Sequence, residues 1–355
     1  MISKTNSKTN KNKYNKNKYN KNKYNKNKLQ RGGTNLSVQA LTYNLSWASQ
    51  KNILMGSEED FVRKCQSINR NCYEEALNKI EELHNKKNFD VIGIQEVDDV
   101  ELVSKIRKKT GLQGWYRGAT WNSEAKAYSG CAILWNTIML GTMASSKTIN
   151  LAEPDDKGEC DARTCCIINT TKDINLIVAH FPWLTSDDDV RKISEIITTH
   201  ISSNGPIIIL ADTNDSKTFI SKEHPLVIKN KALSHGLLKQ DAQKMLTSCC
   251  WHEKDHPKNY GHLTDTGDYI LSENVQNIKI QIPKPTNDST EATLFSDHMP
   301  VVATVILNVD DLTVPQQTRQ SNKSKTYKKK IYDKFKTIYN NAKTFRRRSK
   351  TISVV

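Results

Sequence analysis

The sequence predicts an α+β sandwich made by one continuous domain over residues 36–310. Three features carry that prediction: about ten short apolar runs, many adjacent in the manner of hairpins; only a few long helical segments between them; and polar residues gathered at the ends of several runs. A doubly wound parallel sheet would need a helix between most successive strands, and too few are present. Nothing between residues 36 and 310 has the composition of a linker.

Taken in order, 38–47 is a first strand, with Asn44 near its end. Ser57 then caps a helix over 58–84 that carries acids in its first turn. A second strand at 89–96 ends in Gln95-Glu96, and 101–109 is helical. The segment that follows, containing Gly and Trp, is expected to be a loop. Strands come next at 128–135, 164–170 and 174–181, the last carrying His180. Ser186 caps a helix over 187–202. Further strands lie at 207–211, 269–271, 275–282 and 299–309.

The 355-residue chain has a formal net charge of +15, but its charge is unevenly placed. Residues 1–31 hold eleven Lys or Arg and no acid, and residues 319–350 hold thirteen against Asp333 alone. The ends therefore supply +23 and the middle is −8. An acidic centre fits carboxylates neutralised by a divalent cation, while attraction to a polyanion is delegated to the ends.

Residues 1–35 form a low-complexity basic tail in which Asn-Lys-Asn-Lys-Tyr repeats through Tyr14, Tyr19 and Tyr24. Such a segment buries too little apolar surface to offset its chain entropy, so it is expected to be disordered. It is either a solvated tail or a basic arm whose aromatics touch nucleic acid. The other end, 311–355, is a second basic tail. Within it Ile331, Phe335, Ile338, Ala342 and Phe345 repeat at four, three, four and three, one face of an amphipathic helix over about 328–348. A basic helix of this kind suits an anionic membrane surface, an acidic partner or nucleic acid; packing on the domain is the alternative.

Eight cysteines include no Cys-x-x-Cys pair, and the N-terminus has no apolar segment of the signal-peptide type. Reduced thiols in an intracellular, non-secreted protein are expected. No apolar run approaches the ~18 residues of a membrane span. Cys249, Cys250, His252, His256 and His262 match no common zinc module and are taken as a polar loop.

The chemistry concentrates around Phe295-Ser296-Asp297-His298-Met299-Pro300-Val301, an Asp-His pair opening a buried strand. With Tyr43-Asn44, Gln95-Glu96-Val97, Ala179-His180-Phe181-Pro182, Ala211-Asp212-Thr213-Asn214 and Asp268-Tyr269-Ile270-Leu271 it makes an ordered set of six motifs. Over residues 38–307 this set resembles the endonuclease/exonuclease/phosphatase superfamily, the deoxyribonuclease I-like group. The resemblance implies a four-layer α/β/β/α sandwich and Mg²⁺-dependent hydrolysis of a phosphate ester by activated water, with Mn²⁺ as a substitute. It implies Glu96 as principal metal ligand with Asn44 and Asp297 nearby, and Asp212 and Asn214 orienting the water and the phosphate. It further implies His298, paired with Asp268, as base or transition-state stabiliser, and His180 at the phosphate or leaving group. Arg163 stands where related enzymes carry a phosphate-binding Arg; a surface ion pair with Asp161 or Glu159 is its alternative.

These roles agree with elementary chemistry. Mg²⁺ takes one or two carboxylates plus waters and substrate oxygens, which suits Glu96 and Asp297. A carboxylate beside an imidazole fixes its tautomer and raises its basicity, the part of Asp268. Ser46 stands where many DNA-repair members carry Asp, which argues against the abasic-endonuclease branch. The expected activity is that of a nuclease or DNA-end-processing phosphodiesterase with nucleic acid as partner. The alternatives are a phosphoinositide phosphatase or sphingomyelinase-like enzyme working at a membrane, and a catalytically idle polyanion-binding module.

Overall fold

The computed structural model describes residues 35–46, 72–122, 127–152, 162–182, 186–214, 223–235, 267–280, 296 and 298–308. All belong to one compact unit spanning Thr34–Val355. The basic tails, the start of the helix expected over 58–84, the Cys249–His262 segment and Asp297 lie outside the described residues.

Two mixed sheets face each other. The first is built from β1 (Asn35–Asn44), β2 (Val91–Gln95), β3 (Gly114–Asn122), β4 (Ala127–Trp135), β12 (Val275–Ile280) and β13 (Val301–Asn308), in the order β12-β13-β1-β2-β4-β3. The second holds β5 (Met143–Asn150), β6 (Thr164–Thr170), β7 (Asn175–His180), β8 (Ile207–Asp212), β9 (Glu223–Ile228), β10 (Lys231–Ser234) and β11 (Asp268–Ser272), in the order β5-β6-β7-β8-β11-β10-β9. Helices α1 (Cys72–Lys87) and α2 (Val100–Thr110) lie along the first sheet, and α4 (Asp187–His200) along the second; α3 (Thr137–Leu140) is a single turn.

Three buried clusters define four layers. Val38, Ala40, Val91, Ile133, Val178, Ile208, Leu210 and Ile270 pack between the sheets. Leu41, Tyr43, Ile92 and Ile94 pack outward on Leu77, Ile80, Leu102 and Ile106 of α1 and α2. Ile177, Ile207 and Ile209 pack outward on Val190, Ile193 and Ile197 of α4. Strands buried on both faces explain why these runs are continuously apolar rather than alternating. The α/β/β/α arrangement implied by the resemblance is the one found.

Each helix is bounded by local chemistry. Asp99 caps α2 by accepting from Glu101 N, and Gly111, at φ 70°, ends it in the left-handed region. Ser186 and Asp189 close a reciprocal capping box at the start of α4. Edge strand β9 is shielded by that same helix: Val227 N donates to Ser194 Oγ and Lys229 N to Thr198 Oγ1, while Pro225 has no N–H to expose.

The segment expected to be a loop after α2 is strand β3, paired with β4 over its full length. Its glycines, which weaken a strand signal in sequence, are packing requirements. A Cβ at Gly114 would enter the Trp135 ring, and one at Gly118 would strike Thr148 and Cys166 of the opposite sheet. Strands β5, β9 and β10 also escaped prediction. The first is exposed over its first five residues and the last is only four residues long, so neither carries a hydrophobic pattern.

The sheets also approach closely where β2 crosses β7 and β8, and Gly93 permits it. A Cβ there would lie 2.5 Å from Leu210 Cβ and 2.9 Å from Val178 Cγ2. Gly93→Ala is therefore expected to destabilise the fold by roughly 1–3 kcal/mol through overpacking. Urea unfolding should show a lower midpoint at unchanged slope; an unchanged midpoint would refute the close approach.

Candidate active site

Strand direction brings the polar ends together. β1 and β2 are parallel, as are β7 and β8, so Asn44, Gln95, His180 and Asp212 all close their strands at one end of the sandwich. β11 and β13 run antiparallel to their neighbours, so their beginnings, Asp268 and the segment holding His298, arrive at that same end. Alternation sets the face. Ile208 and Leu210 point between the sheets and so does Asp212; Leu176 and Val178 are followed by His180, and Val38 and Ala40 by Thr42 and Asn44. The site is thus the polar continuation of the inter-sheet core.

Glu96 follows inward-facing Gln95 and alternation alone would turn it away. Its φ of 57° breaks the alternation. Ser46 (φ 54°) and Asn214 (φ 47°) also leave their strands through the left-handed region, which is uncommon and costly for residues with a Cβ. Three such residues at one rim mark strain held in place by surrounding contacts, the usual association of functional sites.

The contacts are these. Asn44 Nδ2 lies 2.9 Å from both Glu96 Oε1 and Asp212 Oδ2 and 3.5 Å from His298 Nε2, while Asn44 Oδ1 accepts from Ser46 N at 2.9 Å. His298 Nδ1 donates to Asp268 Oδ2 at 2.9 Å, which leaves Nε2 as a lone pair 3.8 Å from Asp212 Oδ2. Asp212 Oδ1 accepts from Asn214 N at 3.0 Å, and Asn214 Nδ2 donates to Phe181 O at 2.7 Å. Arg163 Nη1 lies 2.6 Å from His180 Nε2, itself 3.6 Å from Asp212 Oδ2 and 3.9 Å from Glu96 Oε1. Since guanidinium only donates, His180 Nε2 accepts and its proton sits on Nδ1. Of the residues singled out from sequence, Asn44, Glu96, Arg163, His180, Asp212, Asn214, Asp268 and His298 converge here; Asp297 lies outside the described residues.

Two supports, quoted within the motifs, had no role assigned to them from the sequence. Ser296 Oγ donates to Asn44 O (2.9 Å) and accepts from His298 N (3.1 Å), tying the His298 segment to the end of β1. Gln95 Nε2 bonds Thr42 Oγ1 and Leu210 O, both at 3.0 Å, and so stitches the two sheets directly beneath the site. A serine and a glutamine at strand ends are too common to be singled out without their partners.

Burial sets the protonation states. Asp212 is 1% exposed, and desolvation raises its carboxyl to about 6, opposed first by the charge that His298 carries when protonated and reinforced by the Asp268 charge. His180 is held well below the ordinary imidazole range, mainly by desolvation and then by Arg163 and His298, so it is neutral near pH 7. Glu96, His180 and Asp212 present ligand atoms within 4.8 Å of one another, as do Asp212, Asp268 and His298. Each group offers two carboxylates beside one imidazole, and the carboxylate oxygens are hard donors of the kind that a divalent cation takes.

No protein-family model and no curated protein matches the chain. Among solved structures it is similar to selenomethionine TDP2 from Caenorhabditis elegans, at 15% identity over 76% of this chain and 74% of that one, TM-score 0.46. It is also similar to the human nocturnin catalytic domain with bound sulfate (15% identity, 77% and 96% covered, TM-score 0.45). A third is the 3′-5′ exonuclease of Neisseria meningitidis (14% identity, 75% and 99% covered, TM-score 0.44).

The raised carboxyl has a measurable consequence. A folded-state value of about 6 against an ordinary 3.8 means that ionising Asp212 opposes folding, with a cost that grows as pH rises from 3.8 to about 6 and stays constant above. In chelator, Asp212→Asn should therefore stabilise the protein by roughly 1–3 kcal/mol at pH 8 and by little at pH 4. Urea titrations at the two pH values check this; no gain at pH 8 would remove the buried-charge penalty.

Proposed function

We propose that this chain is a divalent-cation-dependent phosphodiesterase of the endonuclease/exonuclease/phosphatase superfamily, cleaving phosphate esters of nucleic acid with activated water. The observation that carries the reading is the His298–Asp268 pair turned toward Asp212 and Asn44, with Glu96 on one side and Arg163 on the other. General base, charge stabiliser and cation ligand are then within a few ångströms of one another.

Glu96 is the residue that would hold Mg²⁺ or Mn²⁺, because its side chain is 15% exposed whereas those of Asp212 and Asp268 are 1% and 0%. Asn44 adjoins it, and Asp297 is the further ligand expected from sequence. Bound there, the cation supplies Lewis-acid stabilisation of charge on a phosphate oxygen.

The chain's own residues do the rest. Asp212, poised near 6, takes the proton of the attacking water, and its bond to Asn214 N fixes its orientation. His298 presents Nε2 to the reacting phosphate and, once protonated, is stabilised by Asp268 through Nδ1. Neutral His180 does not donate from Nε2; it holds the Arg163 guanidinium where a phosphate oxygen gathers negative charge. Glu96, Asp212 and Asp268 are all in place, which supports an active enzyme over an idle binding module. The basic tails, with +23 between them, would raise encounter with a polyanion. Cys131, Cys165 and Cys166, buried as free thiols, are consistent with an intracellular setting.

The test is a hydrolysis panel of DNA, RNA, 5′-tyrosyl DNA, a phosphoinositide and sphingomyelin, each with Mg²⁺ and with EDTA. Cleavage of a nucleic-acid member that stops in EDTA is expected; turnover of lipid alone would overturn the substrate assignment. Glu96→Ala and His298→Ala should each lower kcat by about 10²–10⁴ with far-UV circular dichroism unchanged. Full activity in either variant would remove it from the mechanism. Deleting 1–31 or 319–355 should raise KM at low salt and leave kcat unchanged, an effect that fades as salt is added.

A further inference from the structure

Glu96 reaches the site only because the chain around it departs from regular strand geometry, and neighbouring strands hold that departure in place. The ladder between β2 and β4 runs from Val91–Trp135 to Ile94–Ala132, and continued in register it would set Glu96 opposite Gly130. Instead Val97 N donates to Gly130 O at 2.7 Å, one residue out of step. Glu96 takes up the slip in the left-handed region, at φ 57°. An extra residue of this kind re-aims a side chain. It persists only where neighbouring contacts over-determine it, because a residue with a Cβ does not favour that conformation.

Arg117 on β3 supplies those contacts. Its Nε and Nη2 donate to Val97 O at 3.1 and 2.9 Å, and Nη2 also donates to Asp98 O. Val97 is therefore clamped on both sides, its N–H by Gly130 and its C=O by the guanidinium. Both clamps belong to one hairpin, where Arg117 pairs with Ala132 and Ala119 with Gly130. Tyr116 and Gly118, on either side of Arg117, face the opposite sheet: Tyr116 OH bonds Thr148 Oγ1 at 2.8 Å, and a Cβ on Gly118 would strike Thr148 and Cys166. Alternation turns Arg117 to the helix-covered face, where the Val97 side chain is buried with Leu102 and Val103 of α2. Asp98 is followed by Asp99, the cap of α2, so the guanidinium closes the whole turn between Glu96 and that helix. A lysine has one nitrogen for this task; the guanidinium fork meets two successive carbonyls at once.

We propose that Arg117 is the positioning residue of the cation site: it holds the left-handed turn at Glu96 and, through the Glu96 carboxylate, sets the affinity for a divalent cation. The inference rests on the reading of Glu96 as the cation ligand. Among the described residues the hydrogen bonds of Arg117 all go to backbone carbonyls, so it acts through Glu96 and not on the cation. Without it Val97 O and Asp98 O lose their donor and the turn relaxes toward extended backbone. Alternation then carries Glu96 away from Asn44, whose Nδ2 lies 2.9 Å from Glu96 Oε1 in the clamped arrangement. Groups that orient a ligand from behind in this way change metal affinity by about 10- to 100-fold when replaced.

The experiment uses the full chain and Mn²⁺ alone, with no substrate and no turnover; free Mn²⁺ is read by electron paramagnetic resonance. Arg117→Met should weaken Mn²⁺ binding about 10- to 100-fold, and Arg117→Lys by less. Ile197→Val, which loosens the core under α4 on the outer face of the second sheet, controls for general destabilisation and should keep wild-type affinity. Amide exchange in EDTA gives a second, metal-free reading. The Val97 N–H should be protected in wild type and exchange about ten-fold faster or more in Arg117→Met, measured relative to Ile209 N–H in β8. Wild-type Mn²⁺ affinity in Arg117→Met, an equal loss in Ile197→Val, or unaltered exchange at Val97 would each overturn the proposal. Failure of the underlying reading looks different. If wild type takes up no Mn²⁺, or Glu96→Ala binds it as well as wild type, the cation assignment of Glu96 falls and the affinity claim made here falls with it. Val97 exchange then still decides whether Arg117 holds the turn.

Discussion

One amide group holds the centre of the site together. Asn44 Nδ2 donates at 2.9 Å to a carboxylate from each sheet, Glu96 and Asp212, and reaches His298. Two acids brought this close in a buried place repel one another, and a cationic side chain between them would cancel their charge. A neutral donor satisfies both and preserves their charge. Its own placement is determined by Ser46 N on its Oδ1 and by Ser296 Oγ on its backbone carbonyl.

That arrangement depends on the sheets meeting at a fixed separation. Gly93 lets β2 lie against Leu210 and Val178, and Gln95 then reaches Leu210 O to lock the approach directly below Asn44. Apolar side chains fill the inter-sheet layer up to this point, where Thr42, Gln95, Asn44, Asp212, Asp268 and His180 take over. Hydrophobic packing therefore supplies the rigidity, and the site occupies the first layer in which polar groups replace it. The left-handed exits at Ser46, Glu96 and Asn214 add side chains that straight strands would send elsewhere.

Much of this was legible in the sequence because apolar runs ending in Asn44, Glu96, His180 and Asp212 announce strands whose ends share one edge. The order of the motifs carried the convergence, since parallel pairs β1–β2 and β7–β8 place their ends together. What stayed hidden was set by partners far along the chain. Gly114 and Gly118 read as loop residues until Trp135, Thr148 and Cys166 show why no side chain fits. Ser296 and Gln95 act through Asn44 and Leu210, 252 and 115 residues away in the chain.

The His180–Arg163 contact separates two roles that a histidine near a phosphate could take. As a general acid it would need a proton on the nitrogen facing the site and a value near neutrality. Burial and the neighbouring guanidinium both push the other way, and a donor already occupies Nε2. A neutral imidazole is instead a good acceptor that costs little to bury and does not repel Arg163. A guanidinium carries its donors in a fixed fork that matches phosphate oxygens. On the proposed reading, Arg163 supplies positive charge and proton movement is left to Asp212 and to the His298–Asp268 pair. On the same reading the site divides into a charge-stabilising flank and a proton-transferring flank, with Asn44 and Glu96 between them.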